Sequence, residues 1–229
     1  MLTWHKIGLR PRGARLKGLY VSPDLFARQL GELQAQGFTS LSPGDLPVQP
    51  GNPRRQIGLS FDDGFRNVWE HALPLLRAQQ FRAIQFLVAD RLGQRNEWDL
   101  NAGEVPESLM DVTHVRDWLA AGQWIGSHTL SHPWLTRLPP AAAREEIAAS
   151  KKRLEDTFGV KVEHFCYPYG DWNEPVRDLV MEAGYRTACT TGPGVNTPAT
   201  HRFELRRFTA RYPSRKLKNV VGWLRRRLG

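Results

Sequence analysis

Short apolar runs alternate along the whole chain with longer amphipathic runs, and Gly, Pro or Ser residues punctuate the boundaries. That alternation restricts the fold to a mostly parallel sheet with helices outside it, because parallel neighbours need a long crossover and a helix supplies one. Strands are expected at Leu2–Ile7, Phe38–Leu41, Gln56–Phe61, Ile84–Val88, Trp124–Ser127, His164–Tyr167, Tyr185–Thr190 and Glu204–Phe208, the third behind a turn-rich Pro50–Pro53 stretch. A helix capped by Ser22 with Pro23 in its first turn buries Leu25, Phe26, Leu30 and Leu33 and stops at Gly37. Another follows Asp63 through Ala78, with Pro74 either kinking it or marking its start. Thr113 is the expected cap of a helix ending at Gly122, and Pro139–Phe158 and 174–183 complete the set ahead of a last helix at 214–228. With 229 residues, 41% of them hydrophobic, one core is affordable, so residues 1–229 read as a single α/β domain.

The chemistry lies at strand ends. Gln56–Phe61 runs into Asp62-Asp63-Gly64. Adjacent residues on a strand face opposite sides, so the two carboxylates cannot share a task; one suits a metal, the other a proton. Taken alone, Asp-Asp-Gly is also an ordinary turn. Downstream, His128-Thr-Leu-Ser-His132 spaces two histidines by four, so one helical turn would set both imidazoles on one face. A carboxylate with two imidazoles is a common three-ligand set that leaves a metal position open.

Phe61-Asp62-Asp63-Gly64, His128-Thr-Leu-Ser-His132 and Phe165-Cys-Tyr-Pro168-Tyr-Gly170 together resemble the polysaccharide deacetylase family, the NodB-type carbohydrate esterases, over roughly residues 56–210. The resemblance implies a distorted (β/α) barrel of about seven parallel strands and metal-dependent removal of N-acetyl groups from a glycan or glycolipid. It implies Asp63, His128 and His132 as ligands of a divalent metal, zinc first, and Asp62 as general base. The family's third motif often includes an Arg that orients this Asp; the Phe165–Pro168 stretch has none, and Arg207 is the candidate replacement. Tyr167, Pro168 and Tyr169 would wall the acetyl pocket, with the Tyr169 amide facing the oxyanion because Pro168 has no N–H. The family's late Leu-x-His acid is missing. Trp4-His5 resembles the aromatic-His pair of the circularly permuted branch, which includes poly-β-1,6-N-acetylglucosamine deacetylases, and points to His5 as general acid.

Trp98, Trp134 and Trp172 fall in loops near strand ends, where each can stack on a sugar ring or pack into the core. The net charge of +9 favours an anionic partner without choosing among nucleic acid, membrane and acidic glycan; no nucleic-acid motif is present, so none is expected there. Cys166 and Cys189 read as buried free thiols. No run reaches transmembrane length, and Met1–Lys6 lacks a signal-peptide core, so a cytoplasmic protein is expected if Met1 is the start. Leu217, Val220, Val221, Leu224 and Leu228 share one helical face opposite a basic one, which fits either a helix closing the barrel or peripheral contact with an anionic inner-membrane surface. Two alternatives to the deacetylase remain: hydrolysis of a non-sugar amide or other C–N bond, and a non-catalytic glycan-binding module. The complete ligand set speaks against the module.

Overall fold

The computed structural model describes residues 1–46 and 55–211; the expected Pro50–Pro53 turn and the 214–228 helix lie outside the described residues. Seven parallel strands form the main sheet: β1 (Leu2–Trp4), β2 (Leu59–Phe61), β3 (Ile84–Leu87), β4 (Trp124–Ser127), β5 (His164–Cys166), β6 (Thr187–Cys189) and β7 (Phe208–Thr209). Their spatial order is β6-β5-β4-β3-β2-β1-β7. The two edges meet through one segment. Leu205 donates to Ala188 O (2.9 Å) and accepts from Thr190 N–H (2.9 Å), while Phe208 N–H donates to Met1 O (3.0 Å) and Ala210 N–H to Thr3 O (3.0 Å). The sheet therefore curls into the expected distorted barrel, but the last strand is shorter than the Glu204–Phe208 reading. Only Phe208–Thr209 pairs with β1; Leu205 makes a single bridge to Cys189, because the chain must cross from one sheet edge to the other within three residues. Thr39–Ser40 pairs with Gln56–Ile57, and Lys6–Ile7 with Tyr20–Val21, as short flanking ribbons.

Helices α1 (Pro23–Ala35), α2 (Leu73–Ala78), α3 (Val112–Ala120), α4 (Pro140–Phe158) and α5 (Glu174–Glu182) accompany the barrel. Ser22 caps α1 as expected, accepting from Leu25 N–H at 3.3 Å. Pro74 marks a start: a π-turn over Val68–Ala72 precedes it and α2 begins at Leu73. The cap of α3 is Asp111, not Thr113. Asp111 accepts from His114 N–H (2.9 Å) and its own N–H donates to His114 Nδ1 (3.3 Å), a reciprocal pair that Thr113 cannot make from inside the first turn. No described helix is long and apolar enough to cross a membrane.

Alternation along the strands sorts two cores. Trp4, Phe26, Phe61 and Trp118 interlock outside the sheet, with centroids 5.2–6.0 Å apart. Ile84, Phe86, Cys166, Cys189 and Leu205 fill the lumen. Gly126 is required there: a Cβ would lie 2.6 Å from the Phe86 ring and 2.9 Å from His164 O. Both cysteines are buried free thiols.

Candidate active site

Asp62, Asp63, His128, His132, His5 and Tyr167–Tyr169 follow the C-terminal ends of their strands, where barrels of alternating strands and helices place their sites, and Arg207 reaches them from just ahead of β7. β2 stops at Phe61, and Asp63 then turns into the left-handed region (φ 73°) with Gly64 following (φ 81°). The two carboxylates therefore part from a bend beyond the strand. Asp63 is buried with Oδ1 3.3 Å from His128 Nε2 and 3.4 Å from His132 Nε2. Asp62, also buried, faces Arg207 and His5.

The two histidines meet without a helix, contrary to the spacing argument. Thr129 and His132 both take φ 69°, so the segment from His128 to His132 is a tight loop. Glu146, from α4, holds it by accepting from Leu130 N–H (2.9 Å), Ser131 N–H (3.0 Å) and Ser131 Oγ–H (2.6 Å), and Thr129 Oγ1 accepts from His132 N–H (3.0 Å). Asp63, Thr129, His132 and Tyr169 are four non-glycine residues with positive φ at one site. Each such residue costs about 1 kcal/mol, strain of the kind that clusters where geometry serves chemistry.

The three donor sets fit a metal ion. Their ligand atoms lie within 4.8 Å of one another, and all three residues are buried. His128 Nδ1 lies 2.7 Å from Cys166 O, which fixes the tautomer carrying hydrogen on Nδ1 and leaves the Nε2 lone pair aimed at Asp63. Lone pairs of imidazole and carboxylate so close require positive charge between them. Without a cation a proton serves. Burial alone would lift the Asp63 carboxyl, but hydrogen bonds to His128 and His132 hold it well below the usual range. Burial likewise opposes charge on His128, and Cys166 and Asp63 beside it outweigh burial, raising its value. His132 stays below the ordinary imidazole value because burial dominates. A metal bound by Asp63, His128 and His132 would take the place of that proton.

Arg207 reaches Asp62 from the barrel-closing segment. Nη1 donates to Oδ1 at 2.7 Å and Nη2 to Oδ2 at 2.9 Å, a bidentate fork with both side chains almost entirely buried. The guanidinium also donates to Thr3 Oγ1 (3.1 Å), Ser60 Oγ (3.1 Å), Thr190 O (3.0 Å) and Cys166 Sγ (3.1 Å). Contact with Cys166 brings Arg207 to the motif that lacks an Arg of its own. Burial would raise the Asp62 carboxyl; the charges of Arg207 and then His5 hold it below the usual range, so it is ionised. His5 Nε2 lies 3.7 Å from Asp62 Oδ2.

An aromatic row leads outward from the Asp63, His128 and His132 cluster. Trp98 stacks on His132 (4.6 Å), Tyr169 meets His132 edge-on (4.5 Å), and Trp134 lies flat on Tyr169 (4.1 Å, 5°). Arg137 covers the other face of Trp134 at 4.4 Å, so both faces of that indole are taken. Trp172 stacks on Tyr167 (6.0 Å), whose hydroxyl donates to Phe203 O; Tyr167 and Pro168 are buried. Asp99, which the sequence does not single out, is buried beside Trp98, and burial with the Asp63 charge pushes its carboxyl up to about 6. The Thr3 and Ser60 supports of Arg207 were also missed. The only sequence signal for Thr3 is its place two residues from His5 on one face of a strand.

Residues 49–188, more than half of the chain, match the family model described as Polysaccharide deacetylase. The poly-beta-1,6-N-acetyl-D-glucosamine N-deacetylase of Staphylococcus aureus (strain MRSA252) is 23% identical over 158 residues, 68% of this chain and 54% of that protein. The chain spans about half the length of the curated relatives it matches. Among solved structures, IcaB from Ammonifex degensii superposes with a TM-score of 0.80 at 23% identity, over 97% of this chain and 94% of that one. The Streptococcus pyogenes deacetylase PplD in complex with acetate gives 0.77 at 22%, over 91% and 90%. At these identities the two structures establish the shared fold.

Proposed function

Since the chain belongs to the polysaccharide deacetylase family, we propose that it hydrolyses the N-acetyl group of an N-acetylated sugar in an oligosaccharide, polysaccharide or glycolipid. The observation that carries the reading is the division between neighbouring carboxylates, with Asp63 on two histidines and Asp62 on a guanidinium and His5. Asp63, His128 and His132 would hold a divalent metal, and one oxygen with two nitrogen donors suits zinc. A bound dication supplies Lewis-acid polarisation of the acetyl carbonyl and lowers the pKa of water.

The remaining steps belong to the protein. Asp62 accepts a proton from the attacking water, and Arg207 keeps it ionised and aimed. The water oxygen bonds to the carbonyl carbon. The Tyr169 N–H donates to the oxyanion. His5 protonates the nitrogen as the C–N bond breaks, leaving acetate and a free amine. Tyr167 and Pro168 wall the acetyl group, while Trp98 and Trp172 border the sugar.

The test measures metal content and acetate release for Asp62→Asn and Asp63→Asn on N-acetylhexosamine oligomers. Asp62→Asn should keep its metal and lose about 10²–10⁴-fold in turnover. Asp63→Asn should lose the metal itself. Equal metal loss in both variants, or acetate release that survives verified metal removal, would overturn the assignment.

A further inference from the structure

His5 has little to hold it. Its Nδ1 is buried with no hydrogen-bond partner among the described residues, and its Nε2 makes only the 3.7 Å approach to Asp62. Yet its neighbours on the opposite face are locked. Trp4 Nε1 donates to Gln29 Oε1 (3.0 Å), and the indole packs on Phe26 and Phe61. Lys6, on the other side, has a side chain with 0% exposure.

Lys6 Nζ donates to Tyr20 Oη (3.1 Å), lies 3.2 Å from Glu107 Oε1 and 4.0 Å from Glu104 Oε1, and sits over the rings of Tyr20 and Phe65. The Tyr20 hydroxyl in turn bonds Glu107, with Glu104 at 3.4 Å. Outer oxygens are satisfied too. Glu107 Oε2 accepts from Asn67 Nδ2 (3.0 Å), Asn67 Oδ1 accepts from Ile7 N–H (3.2 Å), and Glu104 Oε2 accepts from the Arg15 and Leu16 N–H groups (2.9 and 2.6 Å). A buried ion cluster is seldom the cheapest way to stabilise a fold, since apolar side chains of like volume often do as well. What this cluster does is join two pieces of the site. Glu104 and Glu107 belong to the loop that lays Trp98 on His132: Glu104 N–H donates to Asp99 O (3.2 Å) and Glu107 N–H to Asn96 Oδ1 (2.6 Å).

We propose that Lys6, Tyr20, Glu104 and Glu107 are positioning residues that set His5 against Asp62 and Trp98 against His132. The kinetic part of this proposal rests on His5 being the proton donor, as argued above; the geometric part does not.

The experiment compares wild type, Lys6→Met, His5→Ala and the double variant at matched metal content, on an N-acetylhexosamine oligomer and on an aryl acetate whose leaving group needs no proton. Lys6→Met should slow amide hydrolysis about 10–100-fold but ester hydrolysis less than about threefold. In the His5→Ala background the same change should slow amide hydrolysis clearly less than in the wild-type background, because the part that acts through His5 is gone and only the part through Trp98 remains. Tyr20→Phe keeps the ring and removes one hydroxyl, so it covers the case in which Lys6→Met does not fold. It should show the same substrate selectivity, and its crystal structure should show the His5 ring and Trp98 displaced. Losses equal on both substrates and in both backgrounds would overturn the proposal. If His5→Ala shows no amide-selective loss, the acid assignment fails instead. The Tyr20→Phe structure then decides the positioning claim by itself: displaced rings sustain it, native positions overturn it.

Discussion

Replacing Arg207 by methionine removes the partner of a carboxylate that the fold keeps away from water. The Arg207 and Asp62 side chains are 0% and 3% exposed, so neither charge can fall back on solvent. Two hydrogen bonds of 2.7 and 2.9 Å join them, and hydrogen bonds to charged groups contribute about 1.5–3 kcal/mol each. Breaking a buried pair from one side costs about 3–5 kcal/mol, mostly through the charge left behind. Asp62→Asn should cost a similar amount, because it strands the guanidinium among Thr3, Ser60, Thr190 and Cys166. The double variant leaves no unpaired charge, so its loss should fall short of the summed single losses by about 2–4 kcal/mol. Urea unfolding of the four chelated proteins measures that coupling. Arg207→Lys keeps the charge without the fork and should fall between wild type and Arg207→Met. Single losses that add to within about 0.5 kcal/mol would mean the two groups are not a coupled pair, and the role given to Arg207 would fall with it.

His164, on β5, is buried, and burial brings its value down to about 4 from the ordinary 6.5. Below pH 6.5 the unfolded chain binds a proton that the folded one refuses, so stability should drop by up to about 3 kcal/mol between pH 6.5 and 4. His164→Gln should flatten that limb in urea titrations, and an unchanged pH slope would refute it. Gly126→Ala drives a methyl against the Phe86 ring and the His164 carbonyl and should cost about 1–3 kcal/mol. An alanine variant as stable as wild type would show that the lumen is looser than described.

Much of the site could be read before the fold was known, because strand ends are local. An apolar run halted by Asp-Asp-Gly, or by His128, needs only its neighbours to be recognised. What could not be read depended on contacts distant in sequence. The alternation of Thr3 and His5 against Trp4 and Lys6 is visible in the chain, but not that Lys6 meets glutamates near residue 105. The four-residue histidine spacing suggested a helical turn, whereas Glu146 and Thr129 hold a left-handed loop that the spacing cannot distinguish from one. Thr113 loses to Asp111 as a cap because a reciprocal bond to His114 decides it, and either residue type is a good cap by composition. Trp134 looked free to stack on a sugar, and only the fold brings Tyr169 and Arg137 to its two faces.

The closing of the barrel by residues 205–210 also orders events in time. Asp63, His128 and His132 come from consecutive neighbours β2 to β4, so a partly folded chain can already gather them. His5 follows β1, which pairs with β2 directly, but Arg207 comes from the closing segment, whose pairing of Phe208 with Leu2 joins the two ends of the described chain. Contacts of such long range are slow to form, because loop closure is costly before it is rewarded. If the cluster holds a metal as proposed, ion capture can thus run ahead of competence. On the proposed roles, a nascent chain could be loaded while its base is still unaimed, and hydrolysis should switch on only with the last strand.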